Sequence, residues 1–165
     1  MLPIGENEKV ISLLEKYGQD ILNSDTFKFE RNFIQHGTIS CYEHSMAVAY
    51  ISIVIALKYN VKNINLKSLV RGALLHDYFL YDWHEKNAGH GLHGYFHAAI
   101  SLRNARRDFQ INKIEENIIF RHMFPLNITR IPNCKEAAIV CLADKFCALC
   151  ETLTISSYST SLFIA

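Results

Sequence analysis

The sequence predicts an all-α protein, a compact bundle of about six or seven helices that forms a single domain over residues 1–165. Three observations support this prediction. The chain has 165 residues, the usual size of one domain. Almost every segment places its apolar residues at the helical period, and outside the tail at residues 154–165 no alternation requires a sheet. Half of the residues are hydrophobic, which is enough apolar material for one core.

Local signals order the predicted elements along the chain. The first helix is amphipathic, and a shorter segment with aromatic side chains follows at residues 26–33. Gly37 interrupts the pattern before the second helix, which begins after a capping box of Ser40 and Glu43. The second and third helices are mostly apolar, and an irregular loop at residues 84–94 precedes the fourth. The helices are predicted over residues 8–21, 41–59, 66–77, 95–109, 113–123 and 135–153.

The last two helices have their own terminal signals. Asn112 is a predicted N-cap, and acidic residues occupy the first turn, where the helix dipole favours them. A loop follows between Pro125 and Pro132, and Asn133 is expected to cap the last helix. The tail at residues 154–165 alternates Ser and Thr with apolar residues, and its structure is ambiguous.

Composition excludes several classes of protein. With 17 basic and 16 acidic residues, the net charge of +1 indicates neither nucleic-acid nor membrane-surface binding. The N-terminus lacks the features of a secretory signal, and the most apolar stretch, residues 46–57, is too short to span a bilayer. The five cysteines are an odd number, and without a secretory signal we interpret them as reduced thiols of a cytoplasmic protein. Cys147 and Cys150 have redox-motif spacing but lie in a helical pattern, so we interpret them as small buried hydrophobes.

Histidines and acids interrupt helices that otherwise look core-forming. His44, the pair His76 and Asp77, His122 and Asp144 each lie in an apolar helical context. An imidazole or a carboxylate is costly to bury unpaired, and metal ligation satisfies both. Each residue alone is more often a hydrogen-bonded core residue or a salt-bridged acid than a ligand. The set as a whole predicts a metal site built from inward-facing side chains on different helices.

The order of these residues resembles the HD-domain metal-dependent phosphohydrolase superfamily, whose pattern is H…HD…D. His44 matches the first histidine, His76 and Asp77 match the HD pair, and Asp144 matches the closing aspartate. The resemblance covers about residues 33–151 and implies a single HD-type domain with its metal site in that span. Three local segments match as well, EHSMAVA at residues 43–49, LLHD at 74–77 and CLADK at 141–145.

Two further histidines are similar to those of the binuclear branch of this superfamily, H…HD…H…H…D. The segment LHGYFHA places His93 at the next ligand position, but His97 stands where the family has a small residue, so His97 is an alternative ligand. His122 matches the last added histidine, and its HMFPL context resembles small bacterial HD proteins of unassigned substrate. Outside the ligand set, His36 either shapes the site entrance or bonds within its loop, while His84 and His90 are interpreted as loop residues.

The resemblance implies one or two divalent transition-metal ions, since imidazole and carboxylate ligands suit Fe, Mn, Co, Ni or Zn. Asp77 is the expected bridge between two ions and the residue expected to be catalytic, since a water between the ions would attack phosphorus. One ion would take His44, His76, Asp77 and Asp144, and the other Asp77, His93 and His122.

The predicted function is hydrolysis of a small phosphomonoester or nucleotide, with a small phosphorylated molecule as the partner. Lys145, Arg121, Tyr81 and His97 are candidates for substrate binding, Tyr81 because it lies in the aromatic run that follows the HD pair. Two alternatives remain, a di-iron oxygenase on the same fold and a non-catalytic nucleotide-binding regulator. The sequence leaves the substrate, the native metal and the formation of a homo-oligomer open.

Overall fold

A computed structural model describes residues 4–84 and 93–153 of the chain. These residues confirm the predicted all-α class, because seven helices and one short hairpin account for the regular structure among them. The tail at 154–165 and most of the predicted 84–94 loop lie outside the described residues. The elements are α1 (Ile4–Leu22), α2 (Asp25–Lys28), a 3-10 turn (Phe29–Asn32), β1 (Ile34–His36), β2 (Ile39–Ser40), α3 (Cys41–Lys58), α4 (Leu66–Leu75), α5 (His93–Asp108), α6 (Lys113–Arg121) and α7 (Lys135–Thr152).

Helix α4 is the centre of the bundle. It packs against α1, α3, α6 and α7, and all but its first two residues are buried. A Cβ atom at Gly72 would collide with the side chain of Ile118 on α6. The glycine therefore permits close approach of α4 and α6, and this approach brings the C-terminal ends of the two helices together.

Two predicted helix starts are confirmed and one is wrong. Ser40 and Glu43 form a reciprocal capping box at α3, and Asn112 forms another with Glu115 at α6. Cys134, not Asn133, is the N-cap residue of α7, and no side chain caps this helix. Asn133 is instead hydrogen-bonded to the side chain of Asn117, which takes it away from the helix terminus.

A small antiparallel hairpin follows the 3-10 turn, where sequence periodicity indicated only a break. Strands β1 and β2 pair Ile34 with Ser40 and His36 with Ile39. Gly37 has a φ of 57°, a left-handed conformation that glycine adopts without steric cost. The hairpin turns the side chain of Gln35 into the protein, where it is buried.

The predictions about membrane-spanning segments and about the cysteines can be compared with the structure. No helix within residues 4–84 and 93–153 combines the length and the apolarity needed to cross a bilayer. All five cysteines are unpaired, and Cys147 is buried while Cys150 is partly buried.

Candidate metal centre

Five helices bring histidine and aspartate side chains to one buried point. His44 lies in the second turn of α3, His97 in the second turn of α5, and Asp144 in the middle of α7. His76 and Asp77 follow α4 directly, and His122 follows α6. None of these six residues is more than 6% exposed. The arrangement is that of a bundle core site, with polar groups projecting inward from different helices.

His76 and His122 are held by the same local geometry. Each is the C-cap residue of its helix and keeps helical backbone angles. Nδ1 of His76 donates to the carbonyl of Ala73 at 2.7 Å, and Nδ1 of His122 donates to the carbonyl of Ile119 at 2.8 Å. Each bond satisfies a carbonyl in the last turn of the helix and places the proton on Nδ1. Nε2 of each ring is therefore left with a lone pair directed into the cluster.

Asp77 lies between two pairs of imidazoles. Its Oδ2 atom lies 3.5 Å from Nε2 of His76 and 3.9 Å from Nε2 of His44. Its Oδ1 atom lies 3.1 Å from Nε2 of His97 and 3.2 Å from Nε2 of His122. Gln35 donates from Nε2 to Oδ2 at 2.5 Å and so fixes the orientation of the carboxylate. Each carboxylate oxygen thus faces a different pair of ring nitrogens.

Asp144 completes the side of the cluster that contains His44. Its Oδ1 atom lies 3.2 Å from Nε2 of His44 and 3.8 Å from Nε2 of His76. Its Oδ2 atom accepts from Nζ of Lys145 at 2.7 Å, and the same ammonium donates to the carbonyl of His122 at 2.8 Å. The opposite ring nitrogen of His44, Nδ1, donates to Oε2 of Glu151 at 2.8 Å.

Helix α5 is docked against the segment that follows α4. Nδ2 of Asn104 donates to the carbonyls of Tyr78 and Phe79 at 3.1 Å and 3.0 Å. Both carbonyls come directly after the HD pair, so this contact sets the distance between α5 and Asp77. It brings Nε2 of His97 within 2.8 Å of Nε2 of His122.

The donor set fits a metal ion because two of its buried atoms lie among other potential ligand atoms without forming a hydrogen bond. Nε2 of His76 and Oδ1 of Asp77 make no hydrogen bond within the described residues. A buried polar atom without a partner costs about 1–3 kcal/mol, and coordination to a cation satisfies it. Potential ligand atoms lie within 4.8 Å of one another in two triads that share Asp77, one with His44 and His76 and one with His97 and His122. Nitrogen and carboxylate donors suit the first-row divalent metals.

The electrostatics of the cluster keep its carboxylates ionised. Burial raises the pKa of Asp77, but His76 and His97 together hold it well below its ordinary value. Burial likewise acts against ionisation of Asp144, but the hydrogen bond from His44 opposes it and helps to hold the pKa of Asp144 low. Burial lowers the pKa of His76 to about 4, so this imidazole is neutral at physiological pH. Ionised carboxylates and a neutral imidazole are the forms that bind metals.

His44 differs from His76 because it has two carboxylate partners. Burial lowers its pKa, but the hydrogen bonds to Asp144 and Glu151 outweigh this effect and raise the pKa to about 10. A cation at Nε2 would therefore replace a proton held between His44 and Asp144. Uptake of the ion at this position releases that proton.

The structure brings together His44, His76, Asp77, His122 and Asp144 from the predicted ligand set. It places His97, the alternative of the two α5 histidines, in the second triad. His93 begins α5 one turn earlier, but its side chain lies outside the described residues, so its role as a ligand stays a prediction.

The predicted substrate-binding residues differ in what they contact. Lys145 contacts Asp144 directly. The ring of Tyr81 packs 4.9 Å from that of Phe79; burial, and next the charge of Asp77, raise the pKa of Tyr81 to about 12. Arg121 instead donates to the carbonyl of Ile131 in the loop before α7.

The remaining histidines divide into one at the cluster and one in a loop. The ring of His36 lies 5.4 Å from that of His44, so this hairpin residue borders the cluster. His84 hydrogen-bonds to Asp82 on the surface, as expected of a loop residue. His90 lies outside the described residues.

Three residues at the cluster were missed by sequence reasoning. Glu151 lies seven residues after Asp144 on α7, and this two-turn spacing was a usable signal because it places both on one helix face. Gln35 had no local signal, since its position depends on the hairpin. Glu30, in the 3-10 turn, is fully buried, and its carboxylate oxygens lack hydrogen-bond partners within the described residues.

Comparison with known proteins agrees with this geometry. The model of the HD-domain family matches residues 41–149, which include the first histidine, the HD pair and the closing aspartate. Searches of curated proteins and of solved structures gave no match. The family match covers most of the chain, and the cluster supplies the His and Asp groups expected of an HD-type metal site. The chain therefore belongs to the HD-domain family.

Proposed function

We propose that this protein is a metal-dependent phosphohydrolase that uses two metal ions to cleave a small phosphomonoester or nucleotide. One observation carries the proposal: each oxygen of Asp77 faces a separate pair of imidazoles, at 3.5 and 3.9 Å on one side and 3.1 and 3.2 Å on the other. A carboxylate in this position is suited to bridge two cations. Sites with two bridged ions are typical of enzymes that hydrolyse phosphate esters.

The ligands divide between two proposed positions. His44, His76, Asp77 and Asp144 would hold one ion, and Asp77, His97 and His122 would hold the other, with His93 as a further ligand from the family resemblance. When bound, the ions would supply a water of lowered pKa and stabilise charge on the phosphoryl oxygens. The contribution of the chain is to hold these side chains in a buried cluster, where electrostatic interactions are stronger than in water.

The position of Lys145 supports the proposal that the substrate is anionic. Its side chain is 38% exposed, yet its ammonium is fixed by Asp144 and by the carbonyl of His122. A positive charge is therefore held at the edge of the cluster. Tyr81, 4.9 Å from Phe79 between ring centroids, offers an aromatic surface in the segment that follows the HD pair. Together they suit a phosphorylated molecule with a flat or apolar portion.

The test is a hydrolysis screen. The metal-stripped full chain is reloaded separately with Mn²⁺, Co²⁺, Ni²⁺, Fe²⁺ and Zn²⁺ and assayed for phosphate release from phosphomonoesters and nucleotides. We expect release from at least one substrate class, and loss of it in Asp144→Asn. Glu15→Gln, a charge-neutralising change on the exposed surface of α1, is the matched control and should retain activity.

Two results would contradict hydrolysis. Oxygen consumption by the iron-loaded protein without phosphate release would indicate an oxygenase. Tight binding of one nucleotide, with no release under any metal, would indicate a regulator.

A further inference from the structure

We infer that Glu151 is a positioning residue, which fixes the His44 ring through its Nδ1–H and makes the His44 half of the metal centre the half that binds its ion first. The inference rests on the two-ion centre proposed above. It concerns the relative affinity of the two positions, which neither the family match nor the ligand set determines.

Helix α7 holds the His44 ring from both sides. Asp144 lies 3.2 Å from Nε2 and Glu151 lies 2.8 Å from Nδ1, while the ring itself is fully buried. The two acids are seven residues apart and so lie on one face of the helix. Because Glu151 accepts the Nδ1 proton, Nε2 is the nitrogen directed at the centre. A single helix thus supplies both a metal ligand and the group that orients its neighbour.

The acceptor at Nδ1 distinguishes His44 from the other two oriented histidines. His76 and His122 donate to backbone carbonyls, whereas His44 donates to a carboxylate. A hydrogen bond to an ionised acceptor is roughly twice as strong as one to a neutral acceptor. It also makes the ring a better electron donor to a metal at the opposite nitrogen.

Charge is distributed unequally between the two halves. Both halves share Asp77. The His44 half adds Asp144 as a ligand and Glu151 behind the ring, and Lys145 offsets part of this charge through its contact with Asp144. The described residues of the other half add only His97 and His122, which are not acidic. A divalent cation is therefore attracted more strongly to the His44 half.

A different use of the same residues has to be distinguished. His36, His44 and Glu151 also present potential ligand atoms within 4.8 Å of one another. An ion held there would need Nδ1 of His44. That nitrogen carries a proton when Nε2 binds the centre, so the geometry favours Glu151 as a hydrogen-bond acceptor.

The experiment is a Zn²⁺ titration of the metal-stripped full chain against a competing chelator, for the wild type, Glu151→Ala, Glu151→Gln and the surface control Glu15→Gln. The wild type should bind two equivalents in separable steps. Glu151→Ala should weaken the tighter step about 10- to 100-fold and leave the weaker step almost unchanged. Glu151→Gln keeps an acceptor oxygen without the charge and should be intermediate, which a purely structural role would not require.

A second readout reports the ring directly. In the Zn²⁺-loaded wild type, NMR should detect the Nδ1–H proton of His44 as a slowly exchanging signal, and Glu151→Ala should lose it. If Glu151→Ala binds two equivalents and its tighter step is unchanged, the role of Glu151 is overturned but the two-ion centre is not. Equal weakening of both steps, or a third equivalent lost in Glu151→Ala, would also overturn it. A single equivalent in the wild type would instead contradict the two-ion centre.

Discussion

Helix α4 carries one buried polar cluster near its middle and another at its C-terminal end. The two clusters differ in how their polar atoms are satisfied. Near its middle, Arg71 is 5% exposed and uses its donors within the protein. Nε donates to Glu115 at 3.1 Å, Nη2 donates to the carbonyl of Gln110 at 3.0 Å, and Nη1 pairs with Asp20. The guanidinium is held by α1, α6 and the turn before α6. We call this the closed cluster, because the protein supplies a partner for each of the three guanidinium nitrogens.

We call the cluster at the C-terminal end of α4 the open cluster, because two of its buried atoms make no hydrogen bond within the described residues. His76 and Asp77 are buried as deeply as Arg71, but Nε2 of one and Oδ1 of the other make no hydrogen bond within residues 4–84 and 93–153. Burial of charged groups is common to both clusters and therefore does not identify the site. The open cluster is distinguished because its unsatisfied atoms belong to His and Asp groups close enough together to hold a metal ion. A native fold rarely leaves such an atom without a functional reason.

The largest expected effect follows from removing the residue shared by both halves of the open cluster. Asp77→Ala should lose both metal equivalents and all detectable turnover, because its oxygens face all four cluster imidazoles. Metal content is measured by mass spectrometry on protein re-equilibrated with Zn²⁺, and helix content by circular dichroism. Normal metal loading in a folded Asp77→Ala protein would refute its bridging role.

The closed cluster should respond in stability rather than in metal binding. Arg71→Ala leaves Glu115 buried without its cation and should lower the free energy of unfolding by about 3–5 kcal/mol. Arg106→Ala breaks the exposed pair with Glu116 and should cost about 1 kcal/mol or less. Urea unfolding measures both. The distinction between a stabilising cluster and a metal-binding cluster would be contradicted by either of two results. One is a urea midpoint of Arg71→Ala equal to that of the wild type, and the other is a specific loss of Zn²⁺ affinity in the folded variant.

A smaller effect is expected at the group that orients Asp77. Gln35→Ala removes the donor 2.5 Å from Oδ2 and should weaken Zn²⁺ binding about 10-fold, the usual size for an outer ligand partner. Gln19→Ala, on the exposed surface of α1, is the control. Because both halves share Asp77, the two binding steps should weaken together, unlike the selective effect expected for Glu151→Ala. An effect on one step only would argue against this role.

The smallest effect concerns Glu30, whose carboxyl group has no hydrogen-bond partner in the part of the chain that the structure describes. Burial, and next the charge of Asp77, raise its pKa well above the ordinary value. The folded state then keeps a proton that the unfolded chain releases above about pH 4.5, so stability falls as pH rises beyond that point. Glu30→Gln should make this decline less steep when urea unfolding of the metal-stripped protein is compared at pH 5 and pH 8. An identical pH dependence in the variant and the wild type would show that Glu30 does not contribute.

Local signals predicted the helices well because caps and periodicity act over a few residues. Ser40 with Glu43 and Asn112 with Glu115 are contacts three residues apart, and both formed as expected. Asn133 failed as a cap because a residue on another helix, Asn117, bonds its side chain. The hairpin around Gly37 was missed because its strands are too short to show alternation.

The site was predictable to the extent that its residues interrupt apolar helices. His44, His76, Asp77, His122 and Asp144 all carry that signal, and the structure brings them together. Long-range packing decided the remainder. Gln35 reaches Asp77 across 42 positions, and Arg71 reaches Glu115 across 44. No local pattern could separate the closed cluster from the open one.

The central proposal is that Asp77 would bridge two metal ions, and anomalous scattering from crystals of the metal-loaded protein tests it most directly. Two peaks about 3.5–4 Å apart are expected, one beside His44, His76 and Asp144 and one beside His97 and His122. A single peak, or peaks that do not contact Asp77, would contradict the claim.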